Sequence, residues 1–166
     1  EMACQVAQRH PTSVFLIVGD GELRTELEAT AAAWDLTGRV RFLGWRRDLA
    51  TIYGATDVFV ISSRNEGTPV ALIEAMAAGV SSVSTDVGGV RDVIRRPDAG
   101  LLVPAGAASA LTNAVCSLLD ASDRRQQMAA YGRESVLARF SLDRLLADVA
   151  GLYRELTLDN SNSDPA

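Results

Sequence analysis

Short apolar or β-branched runs alternate with stretches of helical period through the first hundred residues, and this alternation restricts the fold more than any other feature of the chain. The runs occupy residues 14–18, 40–43, 57–61, 82–85 and 101–103, with helical candidates between them at 22–34, 48–55, 69–78 and 90–96. Near-continuous apolar character predicts strands covered on both faces, as in a parallel sheet. Strand and helix in strict turn predict an α/β fold, a Rossmann-like open parallel sheet flanked by helices.

The alternation ends at Pro104, and helical stretches follow at about 107–119, 123–139 and 142–156. The last carries Leu142, Leu145, Leu146, Val149, Leu152, Tyr153 and Leu156 on one stripe, the pattern of a helix laid on a surface, with Ser141 as its expected N-cap. One domain over residues 1–157 is expected, followed by a polar tail, 158–166, that reads as disordered. Glu1 already lies in a helical pattern, which points to a fragment.

At 166 residues, a fold buries about 70% of the surface its unfolded chain exposes, so a core forms without metals or disulfides. Sixteen basic residues face twenty-one acidic ones, and the arginine doublets at 46–47, 95–96 and 124–125 make no dense basic tract, so nucleic acid is not an expected partner. Every basic residue is arginine. The lack of lysine excludes a P-loop lysine and a pyridoxal Schiff base. His10, Cys4 and Cys116 are too few for a zinc site and lack CxxC spacing, so no metal is expected, and Cys116 reads as a core residue. No apolar run approaches the ~20 residues of a membrane span and the start has no signal-peptide layout, so a cytoplasmic protein is expected.

Ligands of open parallel sheets bind beyond the carboxyl ends of the strands. Four of those ends carry Gly19-Asp20-Gly21, Gly44-Trp45-Arg46, the stretch from Ser62 to Gly67, and Asp86-Val87-Gly88-Gly89. Glycine is common in strand-to-helix turns whatever the function, so the convergence of four loops says more than any one of them. A dinucleotide fingerprint is excluded at the first loop, because Arg24 stands where its third glycine belongs. Gly19 and Gly21 still leave the backbone open to another ligand.

The most informative segment is NEGTPVALIEAMAAG, residues 65–79. Thr68 is the expected cap and Pro69 the first helical residue, so a helix begins beside Gly67 with free N–H groups that attract an anion, for which phosphate is the obvious candidate. From Pro69 to Ala78 the one polar residue is Glu74, expected to be buried and therefore satisfied either by an internal arginine or by ligand hydroxyls. Glu66 stands just outside the helix start, and the two carboxylates flanking it suit a ligand with both phosphate and sugar hydroxyls. A paired-carboxylate hydrolase is a competing reading, weakened by the anion-attracting helix start between the acids.

These residues resemble the C-terminal, donor-binding domain of a family 4 glycosyltransferase, a retaining enzyme of the two-domain GT-B fold. The likeness runs from about Pro11 to Leu156 through VGDGELRTEL, VRFLGW, ATDVFVISSRNEGTPVALIEAMAAG, STDVGGVRDVI, GLLVP and RFSLDRLLADVAGLYREL. It implies that Glu66 faces the transferred sugar as the catalytic residue and that Glu74 binds ribose hydroxyls. It further implies that Gly67, Thr68, Pro69 and Val70 contact donor phosphate and sugar, and that Trp45 and Arg46 lie near the nucleobase, although plain packing of Trp45 is an equal reading. A nucleoside-diphosphate sugar is then a co-substrate, with no cofactor and no metal.

The family's diphosphate clamp, an arginine and a lysine in a G-R-x-x-x-x-K-G segment on the first strand of this domain, has no counterpart here, nor has the N-terminal acceptor domain. The resemblance therefore implies a domain lacking its first strand, with an exposed edge, and a final helix made to brace the absent domain. Membrane contact, at the inner face, is expected only of a complete enzyme. Ser81 and Ser82 replace the family's frequent proline and valine, Asp92 its glutamate, and Ala107 stands near a frequent aspartate. The second functional reading is a non-catalytic module for a nucleotide or sugar phosphate. An epimerase or hydrolase of this fold is a third.

Overall fold

The computed structural model describes residues 1–161. Its elements are α1 (Met2–Arg9), β1 (Phe15–Val18), α2 (Arg24–Ala33), β2 (Val40–Gly44), α3 (Leu49–Gly54), β3 (Val58–Ile61), α4 (Val70–Ala77), β4 (Ser81–Thr85), α5 (Val90–Val93), β5 (Leu101–Val103), α6 (Ala108–Leu119), α7 (Ser122–Phe140) and α8 (Leu142–Ser161). The expected alternation is present and every strand pair is parallel. The strands form two sheets rather than one, β1-β2 and β3-β4-β5. Phe15 pairs with Val40 in the first; Val58 pairs with Ser81, and Val83 with Leu101, in the second.

The three-stranded sheet carries the core. All five residues of β4 are buried, and helices cover both of its faces. Val83 and Val103 pack with Val6 of α1, with Leu111, Val115, Cys116 and Leu118 of α6 and with Met128 of α7, which places Cys116 in the core as expected. The second cluster joins Leu72 and Met76 of α4 to Val90 and Val93 of α5 and Val136 of α7. Four of the five residues of β4 bear hydroxyls, and each finds an acceptor: Ser81 donates to the Arg125 carbonyl, Ser82 to that of Val80, Ser84 to that of Thr85 and Thr85 to that of Ser63. Satisfied hydroxyls are compatible with full burial, so the serines at 81 and 82 are absorbed without an orphaned group.

Coverage on both faces fails for β1, whose residues Leu16, Ile17 and Val18 keep 38–40% of their surface exposed. The strand bonds to β2 on one side and borders an open groove on the other. Neither α2 nor α3 contains a buried residue.

Two helix ends differ from expectation by three residues or more. α5 stops at Val93, three residues early, because Arg139 of α7 donates to the carbonyls of Asp92 and Val93 and because Pro97 disfavours a helical Arg96. Burial, followed by the neighbouring Arg95, lowers the pKa of Arg139 from its usual range. α8 starts where Ser141 Oγ accepts the Arg144 N–H at 3.3 Å, as expected of an N-cap, but continues to Ser161, through the first part of the expected tail. The remaining tail, 162–166, lies outside the described residues.

Leu72 is fully buried and Leu16 is not. Leu72→Ala is expected to cost about 2–5 kcal/mol in urea denaturation and Leu16→Ala about 1 kcal/mol or less; equal losses would place β1 in the core.

Candidate functional site

Between the two sheets runs a groove of about 1200 Å³. β1 forms one wall from Phe15 to Val18 and β3 the other from Val58 to Val60, each presenting the edge that carries no partner strand. Val6 of α1 and Val115 and Leu119 of α6 also line it, as do Ile52 and Tyr53 of α3 and Ala71 and Glu74 of α4. At the carboxyl ends of the strands it reaches Gly19, Trp45, Arg46 and Ser62.

Glu74 opens into this groove and is exposed, not buried as expected. The all-apolar sequence of α4 remains a sound predictor of burial for Leu72, Ala75 and Met76, whereas the side bearing Glu74 meets the groove. Its partner is neither arginine nor backbone: the Tyr53 hydroxyl donates to Glu74 Oε2 at 3.1 Å. Burial, then the hydrogen bond and charge of Glu74, push the Tyr53 pKa up to about 12, so the phenol keeps its proton at neutral pH.

Glu66 is half-buried in the loop after β3. Two glycines of the next loop hold that backbone in place. Gly89 N–H donates to the Glu66 carbonyl at 3.3 Å, and a Cβ on Gly88 or Gly89 would lie 1.9 Å from the Glu66 oxygen or 2.2 Å from the Gly67 oxygen. No real side chain fits at such distances, and Gly88 also has φ +47°. Thr85 Oγ1, bonded at 2.6 Å to the Ser63 carbonyl, anchors the start of the same loop to the buried strand.

The start of α4 lies one residue later than expected. Pro69 is the N-cap with ψ 83°, its carbonyl accepts from Leu72 at 3.0 Å and Ile73 at 3.2 Å, and Thr68 makes no capping bond. Pro69, with ψ 83°, is itself non-helical, so the first helical residue moves on to Val70 and the cap position passes from Thr68 to Pro69. Val70 and Ala71 remain at the helix start, where N–H groups have no carbonyl one turn back within the helix. Pro69 is buried, whereas Gly67, Thr68 and Val70 are exposed.

Gly19 has φ +115° and donates to the Gly44 carbonyl at 2.8 Å, which links the first two loops, and Gly21 donates to Asp20 Oδ1 at 2.9 Å. Neither glycine has an atom within 4 Å of where a Cβ would stand, so the space beside each is open. Trp45 is 86% exposed, which overturns the packing alternative. Arg46 forms a two-pronged pair with Asp48 at 2.8 and 2.6 Å, which raises the pKa of the arginine and lowers that of the aspartate.

Of the expected site residues, Gly19, Trp45, Arg46 and Glu74 thus line one groove. Glu66, Gly67, Thr68, Pro69, Val70 and Gly21 are outside its lining. Sequence reasoning missed Tyr53, which belongs to a short helix with no polar motif around it, and saw Gly88 and Gly89 only as turn glycines. Among the described residues, no cluster of three histidine, cysteine, aspartate or glutamate side chains is arranged to hold a metal, and no helix is long and apolar enough to cross a membrane.

Against known proteins, residues 1–121 match the family described as Glycosyl transferases group 1. The chain belongs to this family. A lipopolysaccharide core biosynthesis glycosyltransferase, LpsE of Rhizobium meliloti (strain 1021), is 32% identical over 141 residues, which cover 85% of this chain and 42% of LpsE. Among solved structures, sucrose-phosphate synthase from Thermosynechococcus elongatus is 30% identical with a TM-score of 0.83, covering 95% of this chain and 42% of that one. Anabaena HepE in complex with UDP superposes with a TM-score of 0.87 at 22% identity, over 93% of this chain and 44% of that one, a likeness of fold. The group 1 domain seen here therefore spans about two fifths of the length of these relatives.

The glycine contact generates a test of the group 1 site. Gly89→Ala is expected to destabilise the chain by about 1–3 kcal/mol and to shift the amide resonances of residues 63–69, whereas Gly21→Ala, in open space, leaves both unchanged. Unperturbed loop resonances in Gly89→Ala would show that the two loops are not in contact.

Proposed function

We propose that this chain is the donor-binding part of a retaining glycosyltransferase, which moves a sugar from a nucleoside-diphosphate sugar to an acceptor hydroxyl in the synthesis of a glycan, exopolysaccharide or glycolipid. The observation that carries the reading is the carboxylate of Glu74, held by Tyr53 in a groove that also receives Gly19, Trp45 and Arg46 at the carboxyl ends of parallel strands. A carboxylate accepts hydrogen bonds from two adjacent hydroxyls, which suits the ribose of a nucleotide. Exposed Trp45 supplies a face for the base.

In this reading Glu66 faces the transferred sugar, while Gly67, Thr68, Pro69 and Val70 form the floor for sugar and diphosphate. The acceptor oxygen bonds to the anomeric carbon on the face from which the diphosphate oxygen departs, and its proton passes to that departing oxygen, so configuration is retained. N–H groups at the start of α4 stabilise the charge that grows on the departing diphosphate. Glu66 is positioned for this by the Gly88-Gly89 contact on its backbone.

The groove also supports the reading of a domain without its first strand. Its walls are the unpaired edges of two strands, and its volume exceeds the roughly 300–1000 Å³ of most small-molecule pockets. In this reading α1, which precedes β1, is the crossover helix of a β-α-β unit whose other strand would fill the groove. The complete enzyme, in this proposal, adds that strand with the diphosphate clamp and an N-terminal acceptor domain braced by α8, and works in the cytoplasm or against the inner face of the membrane.

A titration with UDP followed by amide resonances tests the site. Binding is expected to shift residues around Gly19, Trp45 and Glu74, and Glu74→Gln to weaken it about tenfold or more while the circular dichroism stays unchanged. An unchanged affinity in Glu74→Gln would remove Glu74 from the nucleotide site. The isolated chain is expected to transfer no sugar, and measurable transfer would show that the clamp and the acceptor domain are dispensable.

A further inference from the structure

We propose that Tyr53 is the positioning residue for Glu74, fixing one carboxylate oxygen so that the other is presented to the ribose hydroxyls of the nucleotide; this rests on the nucleotide reading above. Glu74 is exposed, and among the described residues no salt bridge reaches it. A glutamate in that setting samples several rotamers, and binding must then order it at an entropic cost. Tyr53 removes much of that freedom in advance, because its hydroxyl lies 3.1 Å from Glu74 Oε2 and 3.5 Å from the Ala71 carbonyl one turn earlier on α4.

The phenol is itself held. Its ring meets Phe59 of β3 edge to face, with centroids 6.1 Å apart and planes at 71°. Tyrosine has two side-chain torsions, so a ring seated on a strand residue is a stiffer support than a second long polar chain. The bond occupies one of about four acceptor positions on the carboxylate, leaving Oε1 free for a hydroxyl donor. Because the phenol ionises only near 12, it donates through the whole physiological range.

Tyr53→Phe keeps the ring against Phe59 and deletes only the donor. Isothermal titration of the unaltered chain and the variant with UDP is expected to show a loss of about three- to tenfold. The control ligand is 2′,3′-dideoxyuridine diphosphate, which lacks the hydroxyl pair, and the two proteins are expected to bind it within twofold of each other. In the Glu74→Gln background, Tyr53→Phe is expected to have no further effect. A loss of equal size for both ligands, or no loss for UDP, overturns the role of Tyr53 while leaving the nucleotide reading intact. If the unaltered chain does not bind UDP at all, the nucleotide reading fails and takes this role with it.

Discussion

The backbone groups of a strand edge must find partners, and in this protein two strand edges, those of β1 and β3, border one groove with no strand between them among the described residues. That single circumstance accounts for much of what is unusual in the fold. It divides an otherwise regular parallel arrangement into two sheets and leaves the apolar residues of β1 partly exposed. The larger sheet is self-sufficient, since β4 is enclosed by core clusters on both of its faces and its hydroxyls are all satisfied. In the smaller unit α2 and α3 bury no residue.

The site inherits this inequality. A chain of contacts runs from the buried β4 through Thr85 to the Ser63 carbonyl, and through Gly88 and Gly89 to the backbone of Glu66 and Gly67. The sugar and diphosphate side of the proposed site therefore stands on the rigid half of the molecule. Gly19, Trp45 and Arg46 belong to loops of the smaller sheet, and Gly19 is tied to Gly44 within that sheet. The surface proposed for the base thus depends on how firmly the smaller sheet is docked, and a strand in the groove would bond to both halves at once.

Sequence patterns located the strands to within about a residue, because a run such as VFLIV can do little but extend, and the buried serines of β4 did not obscure it. The same patterns misjudged Glu74 and Thr68 for separable reasons, and left Trp45 open between packing and base contact. A helix that is apolar all round says that its neighbours are apolar, but not that one of those neighbours is present. The cap at Thr68 rested on a helical Pro69, and the proline instead takes ψ 83° outside the helix, a choice of backbone conformation that a residue-type preference does not include. Tyr53 was invisible because its relation to Glu74 spans β3 and two helices, and nothing in its own neighbourhood marks it.

Charge at the site leads to a less obvious consequence. Arg46 is already engaged by Asp48 through two hydrogen bonds, so its attraction for an incoming anion is largely spent on that carboxylate. The start of α4 remains as a source of positive potential, and a helix terminus contributes only about 0.3–1 kcal/mol per charge at an exposed position. Charge-assisted bonds from a dedicated arginine or lysine are considerably stronger. Under the proposed function, recognition of a nucleotide then falls mainly on the hydroxyl-seeking carboxylate of Glu74 and the exposed face of Trp45, and a cationic clamp in the complete enzyme would add the diphosphate. On that reading the ribose and base decide whether a ligand is held, and the phosphate side becomes decisive only when the chemistry proposed at Glu66 is assembled around it.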